Sequence, residues 1–420
     1  APGSGEETAA PEDEETDEVP SAVPETSLPA AQIARSGSAV QTLAEGTVSS
    51  AEEFAKMNPN GSYTLAADIT ITAPYAEDFS GTFDGAGHTV TLAIDKATQN
   101  FVGLFGELVS GAEVKNIVIS AESFVKGRNY VGAIAGDATN DVRIENCLNA
   151  GTVTGNSEVG GILGDSTDSG VVVASCVNTG AVSGATKVGG IVGKFEGAHT
   201  VRGCYNTGSV SATGSYAAGI LGRGKSTTIE DCYTIGKITA GSNGYALIAY
   251  GHSSGVCTVK NSYALIGCAD KIAPGSVANE GGSTFKSSAE MQTLAFATTL
   301  GSAFRYNEGG YPTLTWEVPT AKVPVTLTPA NAVLTLNGVS YKSGSTLSLT
   351  AGEYTYTVFC KGYKDVNGTV EVKEDLTATP AAISVTLSED ESQWINVTFG
   401  VTPASAKVSV FDGEAEVPSK

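Results

Sequence analysis

Apolar positions along this chain recur in blocks. The block Val102-Gly-Leu-Phe-Gly106 returns as Val131-Gly-Ala-Ile-Ala-Gly136, Val159-Gly-Gly-Ile-Leu-Gly164, Val188-Gly-Gly-Ile-Val-Gly193 and Ala217-Ala-Gly-Ile-Leu-Gly222, at intervals of 29, 28, 29 and 29 residues. A second block runs Val114-Lys-Asn-Ile117, Ile144-Glu-Asn-Cys147, Val173-Ala-Ser-Cys176, Val201-Arg-Gly-Cys204, Ile229-Glu-Asp-Cys232 and Val259-Lys-Asn-Ser262. A third is Gly151-Thr-Val-Thr-Gly155, Gly180-Ala-Val-Ser-Gly184, Gly208-Ser-Val-Ser211 and Gly236-Lys-Ile-Thr239. Three short strands per repeat, with no room for a crossover helix, predict an all-β fold. The specific form is a three-sided right-handed parallel β-helix whose coils pair about 4.8 Å apart.

The blocks also predict which way side chains face. In the second block Ile144 points in and Glu145 out, and the chain must bend before Cys147 to bring the thiol inside. The bend residues are then Asn116, Asn146, Ser175, Gly203, Asp231 and Asn261, types that accept a left-handed backbone cheaply. Positions 144, 173, 201, 229 and 259 form one buried stack. The residue after each ladder position faces out, which lines up Val118, Leu148, Val177, Tyr205, Tyr233 and Tyr263. Tyr205, Tyr233 and Tyr263 are the candidate ligand-binding residues, a platform for sugar rings. The same stripe could instead be a stabilising aromatic stack, or lie under another segment or a partner.

Ser-Ser-Ala-Glu at 49–52 and 287–290 reads as a helix-opening capping box and predicts short helical caps around 49–57 and 287–300 that close the solenoid ends. From Val323 the period vanishes, and alternating strands separated by turn signals predict a small antiparallel β-sandwich over 322–390. A second copy of that module starts near Trp394 and occupies 391–420, too short to complete a core, as in a chain that continues or has been shortened.

Charge narrows the function. The chain carries 45 Asp and Glu against 24 Lys and Arg, a net charge of −21, which argues against a nucleic-acid partner. Residues 1–30 hold acids and prolines and no Lys or Arg, so 1–45 reads as a disordered acidic tail. No apolar run reaches membrane-spanning length and no leader opens the chain, as expected of a processed exported form.

The segment Gly81-Thr-Phe-Asp-Gly-Ala-Gly-His-Thr-Val-Thr-Leu92, followed by the Val-Gly-Gly-Ile-Leu-Gly repeats, resembles GLUG-motif surface proteins of bacteria, with a pectate-lyase-like β-helix over about 46–318. Thr328 to Gly338, with Ala351-Gly-Glu-Tyr354 and Lys361-Gly-Tyr363, resembles PEGA-type surface modules. The first resemblance implies an extracellular or cell-surface location and no single activity. In that family the motif also occurs beside the protease domain of IgA-specific metallopeptidases.

Motifs that look like chemistry fall within the repeat. Gly219-Ile-Leu-Gly-Arg-Gly-Lys-Ser226 matches a P-loop, but strand follows it where a helix is required. Gly251-His-Ser-Ser-Gly255 matches a nucleophile elbow, yet no histidine follows it. His88, His199 and His252 are the chain's histidines, and no zinc helix can be built from them, so neither metal nor cofactor is expected. Cys147, Cys176, Cys204 and Cys232 recur once per coil and read as buried free thiols. The position after the first-block glycine is Glu107, Asp137, Asp165, Lys194 and Arg223 in turn. A polysaccharide lyase site at Asp137, Asp165, Lys194 and Arg223 is one reading, and a solvated ridge of neighbouring opposite charges is the simpler one. The expectation is a monomeric, non-catalytic surface protein for adhesion or for binding glycan or protein. The rival is an extracellular polysaccharide lyase or glycosidase on the same fold.

Overall fold

The structure is a computed structural model that describes residues 45–317, 321–336, 339–373, 376–390, 392, 410–412 and 415–417. The acidic tail lies outside the described residues, as does nearly all of the expected second module at 391–420. Within the latter a two-stranded antiparallel pair, Val410–Asp412 with Ala415–Val417, is described.

From Gly46 to Lys286 the chain winds as a parallel β-helix on three sheets of ten, sixteen and five strands. The ten-stranded sheet carries the first half of the second block, from Gly46–Val48 through Arg143–Glu145 to Ala278–Glu280. Its register aligns Val114 with Ile144, Val173, Val201, Ile229 and Val259, all fully buried, as the pattern predicted. Each such side chain contributes about 1.5–3 kcal/mol on burial, so the stack is the spine of the core.

The bends form where expected. Asn116, Asn146, Ser175, Gly203, Asp231 and Asn261 have φ of 56°, 54°, 50°, 58°, 54° and 44°. The thiols do more there than fill space. Cys147, Cys176, Cys204 and Cys232 place Sγ 3.1–3.3 Å from the carbonyls of Glu145, Ala174, Arg202 and Glu230, clasping each bend. The amides of Cys176 and Cys204 donate to the sulfur one coil on, at 3.3 and 3.4 Å. All seven cysteines are free and buried. Two residues further along, Asn149, Asn178 and Asn206 form a buried amide ladder, with successive Nδ2 to Oδ1 bonds of 2.8 Å. Each amide also donates to the carbonyl two residues on, which satisfies polar groups that would be costly to bury alone.

A second column of left-handed residues escaped the sequence reading. Phe101, Tyr130, Glu158, Lys187, Tyr216 and Asn243, each just before a first block or its equivalent, have φ of 53–64°. Apart from Asn243 none is a type that favours this conformation, so no recurring turn residue marked the column. The glycines that follow them give the coils room to close: a Cβ on Gly189 would sit 1.8 Å from the Val192 carbonyl oxygen.

The N-terminal end carries the predicted helical cap, though not the box expected at 49–52: the cap falls on Ser50, and Glu53 rather than Glu52 reaches back, to the Ser49 amide. Helix α1 (Ala51–Ala55) has Ser50 as its N-cap, accepting from the Glu53 amide, and drives Phe54 against Tyr75, Phe83 and Phe105 at 5.6–5.7 Å. The other end differs from the expectation. The loop over residues 266–277 closes the last coils, burying Cys268 and Val277, with the carbonyls of Lys271 and Ile272 accepting from Ala246 and Leu247. Helices α2 (Ser288–Met291) and α3 (Leu294–Thr299) turn away from that end and lie along the flank of the solenoid. The expected capping box at Ser287 and Glu290 does form.

Residues 321–387 fold into a sandwich of a three-stranded and a five-stranded sheet around Val323, Val325, Leu334, Leu347, Val358 and Val370. One pairing departs from the antiparallel rule, since Val325–Thr328 runs parallel to Ile383–Thr386. Ala66 of the solenoid joins this core, and Lys322 reaches Asp68 at 3.4 Å.

Candidate functional site

The tyrosine stripe is where the sequence reading needs correction. Tyr205 and Tyr233 stack 4.8 Å apart with rings 2° from parallel, and register pairs Tyr233 with Tyr263, so the row exists. It is not open to a ligand. Tyr205, Tyr233 and Tyr263 are 5%, 1% and 6% exposed, sealed under Met291, Phe296, Leu300, Phe304 and Leu314. The hydroxyls are used as well: Tyr205 donates to Glu317 at 2.8 Å, Tyr233 to the Pro312 carbonyl and Tyr263 to Asn261. Trp316 Nε1 fastens the strap to the Ser175 carbonyl at 2.9 Å. An apolar outward row therefore recruits the chain's own next segment, the covered alternative.

The charged ridge is the other candidate, and the structure assembles it. Glu107, Asp137 and Asp165 lie in register on adjacent rungs of the five-stranded sheet, as do Lys194 and Arg223. Where the signs change, the charges pair. Asp165 meets Lys194 at 3.6 Å, Glu196 meets Lys194 at 3.8 Å and Arg223 at 3.1 Å, and in the neighbouring column Glu158 meets Lys187 at 2.7 Å.

Burial pushes the Asp165 carboxyl up to about 7 against the pull of Lys194, and burial with the Asp165 charge pushes Asp137 up to about 7. Burial alone would lower Lys194, but Asp165, Glu196 and Glu158 outweigh it and hold the ammonium above its usual range. Tyr130 is raised by burial and by the nearby carboxylates. The side chain of Asp165 is 5% exposed, and its Oδ1 has no hydrogen-bond donor.

Rings bracket this charged stretch. Phe101 and Tyr130 stack at 4.8 Å and 15° toward the N-terminal coils, while Tyr216 meets Tyr250 at 5.0 Å, with Arg223 over the Tyr250 ring, toward the C-terminal coils. A shallow pocket of about 340 Å³ opens beside Phe101 and Glu107 and is also lined by Glu77, Asp78, Lys96 and Gln99. The sequence reading missed it, because its walls come from the irregular stretch at 73–78 and the turn at 96–101.

The remaining motifs are structural. Leu221–Lys225 of the P-loop match is a strand of the five-stranded sheet. In the elbow match His252 Nδ1 contacts Ser254 at 2.8 Å within one exposed turn. His88 pairs with Asp68, and His199 stacks on Phe195 at 4.4 Å, where burial lowers it to about 4. Among the described residues no cluster of three or more His, Cys, Asp or Glu is arranged to hold a metal ion, and no helix is long and apolar enough to cross a membrane.

Fold and ridge together define a parallel β-helix protein with one aromatic flank closed by its own chain and one half-buried, ion-paired charged edge. No protein-family model matches the chain. Halomucin of Haloquadratum walsbyi is 39% identical to it over 125 residues, 25% of this chain, and the match spans only 1% of halomucin's length. A candidate immunoglobulin A1 protease from Bacteroides ovatus aligns over 65% of this chain and 93% of its own at 19% identity, with a TM-score of 0.49.

Proposed function

We propose that this chain is part of a surface or secreted bacterial protein that acts without catalysis, presenting a β-helical edge to bind glycan or protein. The location is favoured by the stretch shared with halomucin and by the likeness of the repeats to GLUG-type surface proteins. The observation that carries the non-catalytic part is the ion pairing along the ridge. Lys194 is held charged by Asp165 and Glu196, and Arg223 is engaged by Glu196, whereas a lyase base must be unprotonated and free to reach the substrate proton.

The rival reading, a lyase or glycosidase using Asp137, Asp165, Lys194 and Arg223, draws support from the carboxyls pushed to about 7, the range of a proton donor. Burial of Asp165 counts against it. A glycan array run beside an assay for unsaturated uronate and reducing-end products separates the two. Binding without product is expected, and turnover abolished by Asp137→Asn would install the enzyme reading.

A further inference from the structure

Beside the ridge, Phe101 is a large ring that its stacking on Tyr130 leaves partly open to solvent. It is an aromatic side chain on a left-handed backbone at φ 58°, and it remains 36% exposed. Tyr130 stacks on the ring, and the ring also lines the 340 Å³ pocket. The pocket's volume falls at the low end of the roughly 300–1,000 Å³ of small-molecule sites, which suits one sugar ring better than a buried chain.

Its polar wall is specific in kind. Glu77, Asp78 and Glu107 offer carboxylate acceptors, and Lys96 and Gln99 offer donors, all around the same opening as the ring. Vicinal hydroxyls of a pyranose are both donors and acceptors, and its C–H face carries the partial positive charge that the negative face of an aromatic ring attracts. Three carboxylates against one ammonium, on a chain of net charge −21, repel a uronate, sulfate or sialate.

We propose that this pocket is a subsite for a neutral sugar residue of a glycan, with Phe101 as the stacking platform and Glu77, Asp78, Glu107, Lys96 and Gln99 as hydroxyl partners. It rests on the glycan-binding reading above and gives that reading a place and a ligand class. The platform that the sequence pointed to on the tyrosine flank is thereby replaced by one on the opposite kind of surface, a ring beside charge.

The test is saturation-transfer NMR on the full chain with the methyl glycosides of glucose, galactose and N-acetylglucosamine, and with glucuronate as the anionic probe. Phe101→Asn removes the ring and keeps a residue that tolerates the left-handed backbone, and Glu107→Gln removes one charge with little change of shape. Phe124→Ala, at an exposed ring outside the pocket, is the control. At least one neutral glycoside should bind saturably, with affinity falling about tenfold in Phe101→Asn, by less in Glu107→Gln and not in the control.

Neutral binding untouched by both pocket variants would overturn the subsite while leaving the glycan reading intact. Preference for glucuronate would overturn the ligand class. No binding of any glycoside, together with a blank glycan array, would end the glycan reading itself.

Discussion

The tyrosine flank and the charged ridge are built by the same coils at the same spacing, yet one is sealed by a later segment and the other is closed by its own ion pairs. On the flank, each coil adds an apolar group to a row that no partner within the coil can cover, and residues 288–317 cover it. On the ridge, each coil adds a charge, and where the sign changes between Asp165 and Lys194, and between Glu158 and Lys187, one coil neutralises the other. The difference teaches that a repeat position acquires a role from its neighbour along the axis. Like apolar groups accumulate until something buries them, and unlike charges neutralise in place.

Uncovering the flank should have the largest effect. Phe296 is buried between Tyr233 and Tyr263, with ring centroids at 6.1 and 5.4 Å, and Phe296→Ala should cost about 3–5 kcal/mol in denaturant unfolding. Full stability with unchanged quenching of tyrosine fluorescence would show that the strap is not what closes this face.

On the ridge, Lys187→Ala strands the buried Glu158 carboxylate. A loss of about 2–3 kcal/mol is expected at neutral pH, below the full cost of breaking a buried pair because Lys187 keeps some contact with solvent. Equal stability of variant and parent would mean that the pair is not a structural tie.

Asp137→Asn should act in the opposite direction, and only where the parent is ionised. The folded carboxyl titrates near 7, above its ordinary 3.8, so the native state holds a proton that the unfolded chain gives up first. The parent's stability from this group is complete below pH 4 and is lost as pH rises through 7. The variant should therefore match the parent at pH 4 and exceed it by on the order of 1–2 kcal/mol above pH 7. A constant difference across that window would exclude titration as its cause.

The smallest effect returns to the flank. Tyr205→Phe deletes the 2.8 Å bond to Glu317 while keeping the stacked ring, and should cost about 1 kcal/mol. A loss as large as that of Phe296→Ala would shift the weight of the closure from packing to the hydrogen bond.

Much of the solenoid was legible from the pattern. The buried column through Ile144 and Val173, and the six left-handed bends from Asn116 to Asn261, follow from alternation plus the need to bring Cys147 inside. The second left-handed column was not legible, because Phe101, Tyr130, Glu158, Lys187 and Tyr216 are not turn residues and their conformation is imposed by the coils on either side. The helices at 288–299 were read correctly as helices and placed wrongly. A capping box specifies where a helix starts and says nothing of the surface it packs on.

By itself the sequence determined the coil: its length, its inward stacks, the bends from Asn116 to Asn261 and the identity of the side chains on each outward row. These depend on local alternation and on which residues accept a left-handed backbone, and both are written within a single repeat. Only the tertiary structure decided which outward row was covered. That depends on contacts between residues far apart in the chain, such as Tyr205 with Glu317 or the turn at Lys96 with the stretch at Glu77, and no periodicity encodes them. The tyrosines, outward by pattern, became core, and the pocket beside Phe101 formed between the stretch at 73–78 and the turn at 96–101, which no repeat had marked.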